Sequence, residues 1–253
     1  MVSRSQHRVC VKLTLESIVV LAAASSCTPT PYAPPARFAQ TDTAVMPAQG
    51  KTDVQGDLGV TAALFGPAFQ HADGRVRFGA TSRMVIETEG GAMQLDRSSD
   101  TQRRDGYAGR VGVVQHGRDR PGGMRRSVFG GVGGGFAPAA GTWASIDGGG
   151  GIAGSHRWAR PFLSGDLAYN RPLARRTFSV ADDGNETSTD YRVVLHQDIT
   201  LRGTFGLELG PSTSCLVLGA SITRLIPLED PGLETNESIP GFVTLTAGFR
   251  AQL

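Results

Sequence analysis

His196 and Asp198 stand two residues apart in a stretch that alternates apolar and polar residues. In an extended strand, residues i and i+2 point to the same side, so the spacing predicts that imidazole and carboxylate share one face. A histidine oriented by a carboxylate can act as a general base, and beside a nucleophile or activated water such a pair would hydrolyse a substrate. Arg192 and Arg202 fall on that same face. They give the competing reading, an ion-paired network whose charges compensate one another and in which nothing reacts. No nucleophile elbow and no metal motif accompanies the pair, and His116 and His156 are distant from it in the chain. The network is the preferred reading, and the hydrolase is the alternative.

Other reactive residues are few. Asp182, Asp183, Asn185 and Glu186 make an acidic stretch without EF-hand spacing, read as a solvated turn. The glycines from Gly130 to Gly135 lack the strand-to-helix setting of a phosphate-binding loop. No metal or organic cofactor is expected. The three cysteines are Cys10, Cys27 and Cys215. Cys10 falls in a leader and Cys27 at its end, so Cys215 would be alone and no internal bridge is expected. The simplest reading of Cys215 is a small packed residue.

Cys27 is the one residue whose setting suggests a modification. Residues 1–12 carry Arg4, Arg8 and Lys12, and residues 13–24 form a short apolar run interrupted by Glu16. That run is too short to span a membrane as a helix and reads as a cleaved signal peptide over residues 1–26. Ala24-Ser25-Ser26-Cys27 resembles a bacterial lipobox, which implies acylation of Cys27 as the new amino terminus. Ala22-Ala23-Ala24 offers the competing site for ordinary cleavage. Residues 27–52 contain TPTPYAPP and read as a Pro-rich disordered tether. Removing residues 1–26 leaves basic and acidic residues equal in number, so the net charge of +2 disappears. No basic cluster interleaved with aromatics is present, which argues against a nucleic-acid partner.

The residues that remain, 53–253, must position whatever chemistry there is. They show the two-residue period of strands and no 3.6-residue apolar stripe. The last eleven are the clearest: Val243, Leu245, Ala247, Phe249, Ala251 and Leu253 share one face, and Thr244, Thr246, Gly248, Arg250 and Gln252 the other. Comparable patterns predict strands over about 54–64, 75–87, 107–116, 125–136, 142–155, 163–170, 175–182, 191–209 and 215–226. The Gly-rich segments 125–136 and 142–155 are counted as strands because Val128, Val132, Ile146 and Ile152 keep the period. Gly210-Pro211 predicts a tight turn. The sum is one all-β, antiparallel, up-and-down transmembrane β-barrel of ten strands, with eight as the alternative. With both termini on the periplasmic side, residues 66–73, 117–125, 156–160, 183–190 and 228–239 would be outer loops, and 137–141, 171–174 and 210–211 periplasmic turns. Residues 89–105 break that rule, being a long segment on the short-turn side.

Three features set the polar face inside. It mixes charge signs (Asp57, Arg83, Glu87, Arg110, Asp166, Arg192, Asp198, Arg202, Glu208, Arg250), the apolar face is rich in Leu, Val and Ile, and the pattern runs to the last residue. Residues 53–253 resemble small bacterial outer-membrane β-barrel proteins of the eight- to ten-strand type. The strand FVTLTAGFRAQL is similar to their carboxyl-terminal recognition strand, with Leu253 in place of the usual aromatic. The resemblance implies export to the outer membrane and contact with its lipid. The expected function is non-enzymatic: a plugged, ion-paired barrel, structural or meeting an extracellular or periplasmic partner through its outer loops. Besides the His196–Asp198 hydrolase, a soluble lipid-anchored, lipocalin-like binding barrel is the other alternative. It requires Leu195, Leu201 and Leu207 to point inward.

Overall fold

The computed structural model describes residues 46–63, 68–95, 105–117, 123–138, 140–180, 191–229 and 241–253. They form twelve strands and, among the described residues, no helix. The strands are β1 (Thr52–Ala63), β2 (Ala68–Gly79), β3 (Met84–Leu95), β4 (Asp105–His116), β5 (Arg125–Ala137), β6 (Gly141–Ala153), β7 (Ala159–Arg175), β8 (Thr177–Val180), β9 (Tyr191–Val194), β10 (Asp198–Leu209), β11 (Ser214–Pro227) and β12 (Gly241–Gln252). Ten of them close an antiparallel barrel in which each pairs with its chain neighbour, β7 pairs with β10, and β12 returns to β1. Closure leaves no free edge. The remaining two, β8 and β9, pair only with each other, as a small sheet between β7 and β10 in the chain.

Every wall strand has at least twelve residues, more than the roughly 9–11 that a tilted strand needs to cross a bilayer. The alternation of the sequence becomes the two faces of the wall. Leu58 is 68% exposed on the outside and Leu245 61%, while Glu87 and Glu208 are 0% exposed inside. On β10, Leu201, Phe205 and Leu209 face out, and Arg202, Thr204 and Glu208 are buried. An apolar exterior around a charged interior is the arrangement of a membrane barrel and the inverse of a soluble one. The lipocalin-like alternative therefore fails on Leu201, which points out.

The ten wall strands match the expected number, but two of them differ from the expected set. The single strand read over 75–87 is two, β2 and β3, joined by a turn at residues 80–83. Thr81 makes that turn without glycine or proline: its hydroxyl accepts the amide hydrogens of Arg83 (3.2 Å) and Met84 (3.0 Å). The turn also keeps parity, so Val76, Phe78, Met84 and Ile86 all face out and no break shows in the pattern. The segment read as a strand over 175–182 supplies only β8, which is not in the wall. The extra strand and the lost one cancel.

This shifts the ends of the molecule. Both β1 and β12 leave their chain-terminal residues at one end, with the turns 80–83, 117–124, 154–158 and 210–213. The connections 64–67, 96–104, 138–140, 176–197 and 228–240 lie at the other. Residues 117–125 and 156–160, expected as outer loops, are therefore at the termini end, and 137–141, expected there, is opposite. Most of 66–73 lies in β2, and 171–174 lies in β7. The long 89–105 segment loses its anomaly, since its loop portion joins β3 to β4 at the long-loop end. The turn predicted at Gly210-Pro211 is present, with Gly210 at φ 120°.

Candidate functional site

The lumen is the natural place to look for chemistry, because it gathers the charged residues. Its centre is Arg110 on β4. The guanidinium donates from Nε to Asp147 Oδ2 (2.6 Å) and from Nη2 to Asp147 Oδ1 (2.7 Å), a two-pronged grip on β6. It also donates from Nη1 to Glu87 and to Glu89 (3.3 Å) on β3. Glycine makes the reach possible. Glu87, Gly112, Gly131 and Asp147 are successive register partners across β3 to β6. A Cβ at Gly112 or Gly131 would lie 2.6 Å from the Arg110 guanidinium, so Arg110 lies across two strands that carry no side chain at that level.

Two further clusters sit nearer the termini end. Arg77 grips Asp53 across the β1–β2 seam (2.8 and 2.6 Å). Glu208 on β10 accepts from Arg160 Nε on β7 (2.9 Å) and from Arg250 Nη1 on β12 (3.2 Å). Burying charges this deeply is tolerable only when they are paired. Apolar residues gather near this end: Val85, Val114 and Phe129 pack together with Met46 from the segment before β1, and Phe162 packs with Cys215 and Val217. Cys215 is free and buried, the packed residue expected. Toward the other end the inward residues turn apolar again, with Trp143, Leu225 and Leu195 all buried.

His196 and Asp198 do not form the predicted pair. Asp198 is the first residue of β10, and its Oδ1 accepts from Asn170 Nδ2 (2.8 Å) and the Thr200 hydroxyl (3.1 Å). His196 lies in residues 195–197, which are not strand, so the same-face rule does not reach it. Leu195 shows the same break, being 1% exposed where parity would put it outside. The His196 Nδ1 is buried without a hydrogen-bond partner. Its pKa is lowered, first by burial and then by Arg175, with Glu229 opposing. Arg175 and Glu229 are themselves an ion pair. Arg202 pairs with Asp166 (2.8 Å) and not with His196 or Asp198, so the network expected around that pair does not form with Arg202; the Arg192 side chain lies outside the described residues.

A histidine–carboxylate pair does exist, elsewhere. On β2, His71 Nδ1 lies 2.9 Å from Asp73 Oδ2, at the same i, i+2 spacing. Sequence reasoning missed it because residues 66–73 read as a loop. The signal was there, since the Arg75–Arg77 alternation extends back to His71. The register neighbour of Asp73, Asp57, accepts from Gln55 Nε2 at both oxygens (2.9 Å each). The His71 ring lies over Gly59, where a Cβ would sit 2.3 Å from Nε2. That nitrogen faces the wall, and the residue is buried. This is packing geometry: the ring occupies the space that a side chain at position 59 would take. Among the described residues no group of three His, Cys, Asp or Glu could hold a metal ion. Of the inward charges expected from sequence, Arg83 is instead exposed in the 80–83 turn. Cys27, the acidic stretch 182–186 and the tether up to residue 45 lie outside the described residues.

No family profile and no curated protein matches the chain. Solved structures similar to it are bacterial barrels. The amino-terminal β-barrel domain of Pseudomonas aeruginosa OprF aligns with 80% of this chain and 98% of its own, at 12% identity and a TM-score of 0.31. The translocator domain of the autotransporter NalP from Neisseria meningitidis aligns with 79% of this chain and 87% of its own, at 12% identity and a TM-score of 0.42. The ferric enterobactin receptor PfeA of P. aeruginosa, in a mutant form, aligns with 82% of this chain but 38% of its own, at 10% identity and a TM-score of 0.32.

Proposed function

We propose that this chain is a bacterial outer-membrane protein whose barrel is closed by ion-paired side chains and which acts without catalysis. Its work is structural, or is done through the loops at the end opposite the termini, where a rigid barrel presents variable segments to a partner. The amino-terminal segment is the export signal, and Cys27 is the acylated residue that tethers the chain to the same membrane. The observation that carries the reading is the burial of charge of both signs inside an apolar wall. Arg75 and Arg250 are 1% exposed. A water-filled pore would leave such side chains wetted. With about eight strands an interior just holds its own side chains, and here glycines on β4 and β5 make room for the arginine that fills it.

The test is fractionation and flotation of the full chain. Expressed with its leader in a Gram-negative host, it is expected in the outer-membrane fraction. It should float with lipid vesicles and resist extraction by urea. A chain recovered in soluble form, which fails to float, would contradict the reading.

A further inference from the structure

On the outside of the barrel, β6, β7, β10 and β11 carry a groove of about 440 Å³, whose β6 wall is Gly148 and Gly149. Its shape follows from the register. Gly203 on β10 pairs with Gly165 on β7 and with Ile222 on β11. All three positions face out, since Ser164, Thr204 and Ser221 beside them are buried. Two adjacent outward positions without a side chain lower the wall between Leu167, Leu201 and Ile222, which keep theirs and are 38–49% exposed. One row nearer the end opposite the termini, Leu201 pairs with Leu167 and with Arg224. The groove therefore starts under Arg224 and runs toward the middle of the wall.

Arg224 is out of place on this face. It points outward among apolar residues, it is exposed, and no described acidic residue pairs with it. A lipid-facing arginine costs about 2–4 kcal/mol at the bilayer midplane and about 0–1 kcal/mol near the interface. Arg224 lies three residues before the end of β11, toward the margin of that strand and away from its middle. Arg171, four residues beyond Leu167 in the same direction, is a second exposed outward arginine. The neighbourhood offers cations above and an apolar channel below.

We propose that this groove binds one phosphate-bearing anionic membrane lipid, its phosphate on Arg224 and an acyl chain laid over Gly165 and Gly203. The inference rests on the membrane reading above and goes beyond it by naming the ligand class and the site. A free phosphate would use Arg224 alone and leave the groove without purpose. A lipid uses both.

The experiment takes the full chain, folded in detergent, with heat-modifiable gel mobility as the check on folding. Native mass spectrometry then compares retention of phosphatidylglycerol with phosphatidylcholine of the same acyl chains. Preferential retention of phosphatidylglycerol is expected. Arg224→Gln should reduce it about fivefold, the worth of one arginine at a charged membrane surface, and Arg224→Lys should keep most of it. Gly203→Leu should abolish the preference by filling the groove. Nothing lies within 4 Å of a Cβ built there, and heat-modifiable mobility verifies that the variant is folded before lipid retention is compared. Equal retention of the two lipids would overturn the proposal, as would indifference to Arg224→Gln or to Gly203→Leu. Full displacement of the lipid by millimolar inorganic phosphate would overturn it too, since the site would then be a phosphate site without a chain. Failure of the membrane reading itself would appear separately, as a chain that does not float with vesicles.

Discussion

Arg110 on β4 reaches past β5 to hold Asp147 on β6, because Gly131 between them has no side chain. The contact skips a strand, so it ties three strands of the wall with one guanidinium. It also explains why a segment as glycine-rich as residues 125–136 is ordered strand: the glycines that face inward are space for neighbours, here the arginine of the adjacent strand.

Filling that space is expected to be costly. Gly131→Leu would force Arg110 off Asp147 and Glu87 and leave both carboxylates buried without their cation. Removing one partner of a buried pair costs about 3–5 kcal/mol, to be read from the urea midpoint of the detergent-folded barrel. Gly203→Ala, at an outward position with open space around it, should change the midpoint little.

Glu208 serves two arginines at once, and its loss should be felt at both. Glu208→Gln keeps the shape and removes the charge, leaving Arg160 and Arg250 facing each other inside the wall. A destabilisation of about 3 kcal/mol or more is expected, seen as a lower temperature for the heat-modifiable gel shift. A double-mutant cycle with Arg160→Met should show strong coupling, because the two residues form one cluster.

Acidification should loosen the segment at His196. Burial lowers its pKa below the ordinary 6.5, so the folded segment disfavours the charged ring. The sign follows: above pH 6.5 the ring is neutral folded or unfolded and nothing is lost, while below it the unfolded segment gains a proton more readily than the folded one. Stability of the segment then falls with pH and levels off below the folded pKa. The amide of Leu228 donates to the Gln197 carbonyl (2.9 Å) and reports on it. Its hydrogen exchange, corrected for the intrinsic rate, should accelerate below pH 6.5 in the natural chain and not in His196→Gln.

Processing at Cys27 gives a covalent readout. The mature amino terminus is expected to carry diacylglycerol on the Cys27 thiol, and Cys27→Ala should change its processing. An unmodified terminus at Ser25 would show that the Ala22–Ala24 site is the one used.

The wall was legible in the sequence because a membrane barrel writes its two faces as parity. Leu245 against Thr246, or Leu201 against Arg202, sorts the two faces, and the mixed charges of the polar face set it inside. What parity cannot show is where a strand ends when the turn has an even number of residues and no glycine or proline, as at residues 80–83. It also fails across a break. The run from Tyr191 to Leu209 looks continuous, yet residues 195–197 leave the strand, Leu195 turns inward and the His196–Asp198 pair comes apart. The ion-pair network was legible only as a set of charges. Its partners depend on register between strands, which follows from closure and from the positions of inward glycines. The His71–Asp73 pair was hidden by a boundary error of a few residues, not by any irregularity of the fold.

Planar lipid bilayers put the closed lumen to the most direct test. On the proposed reading, purified, folded, full-length protein should insert without stable conductance steps, because Arg75, Arg110, Glu87, Glu208 and Arg250 are buried inside the wall. Stable, large, single-channel steps from the natural chain would contradict a lumen closed by its own ion pairs.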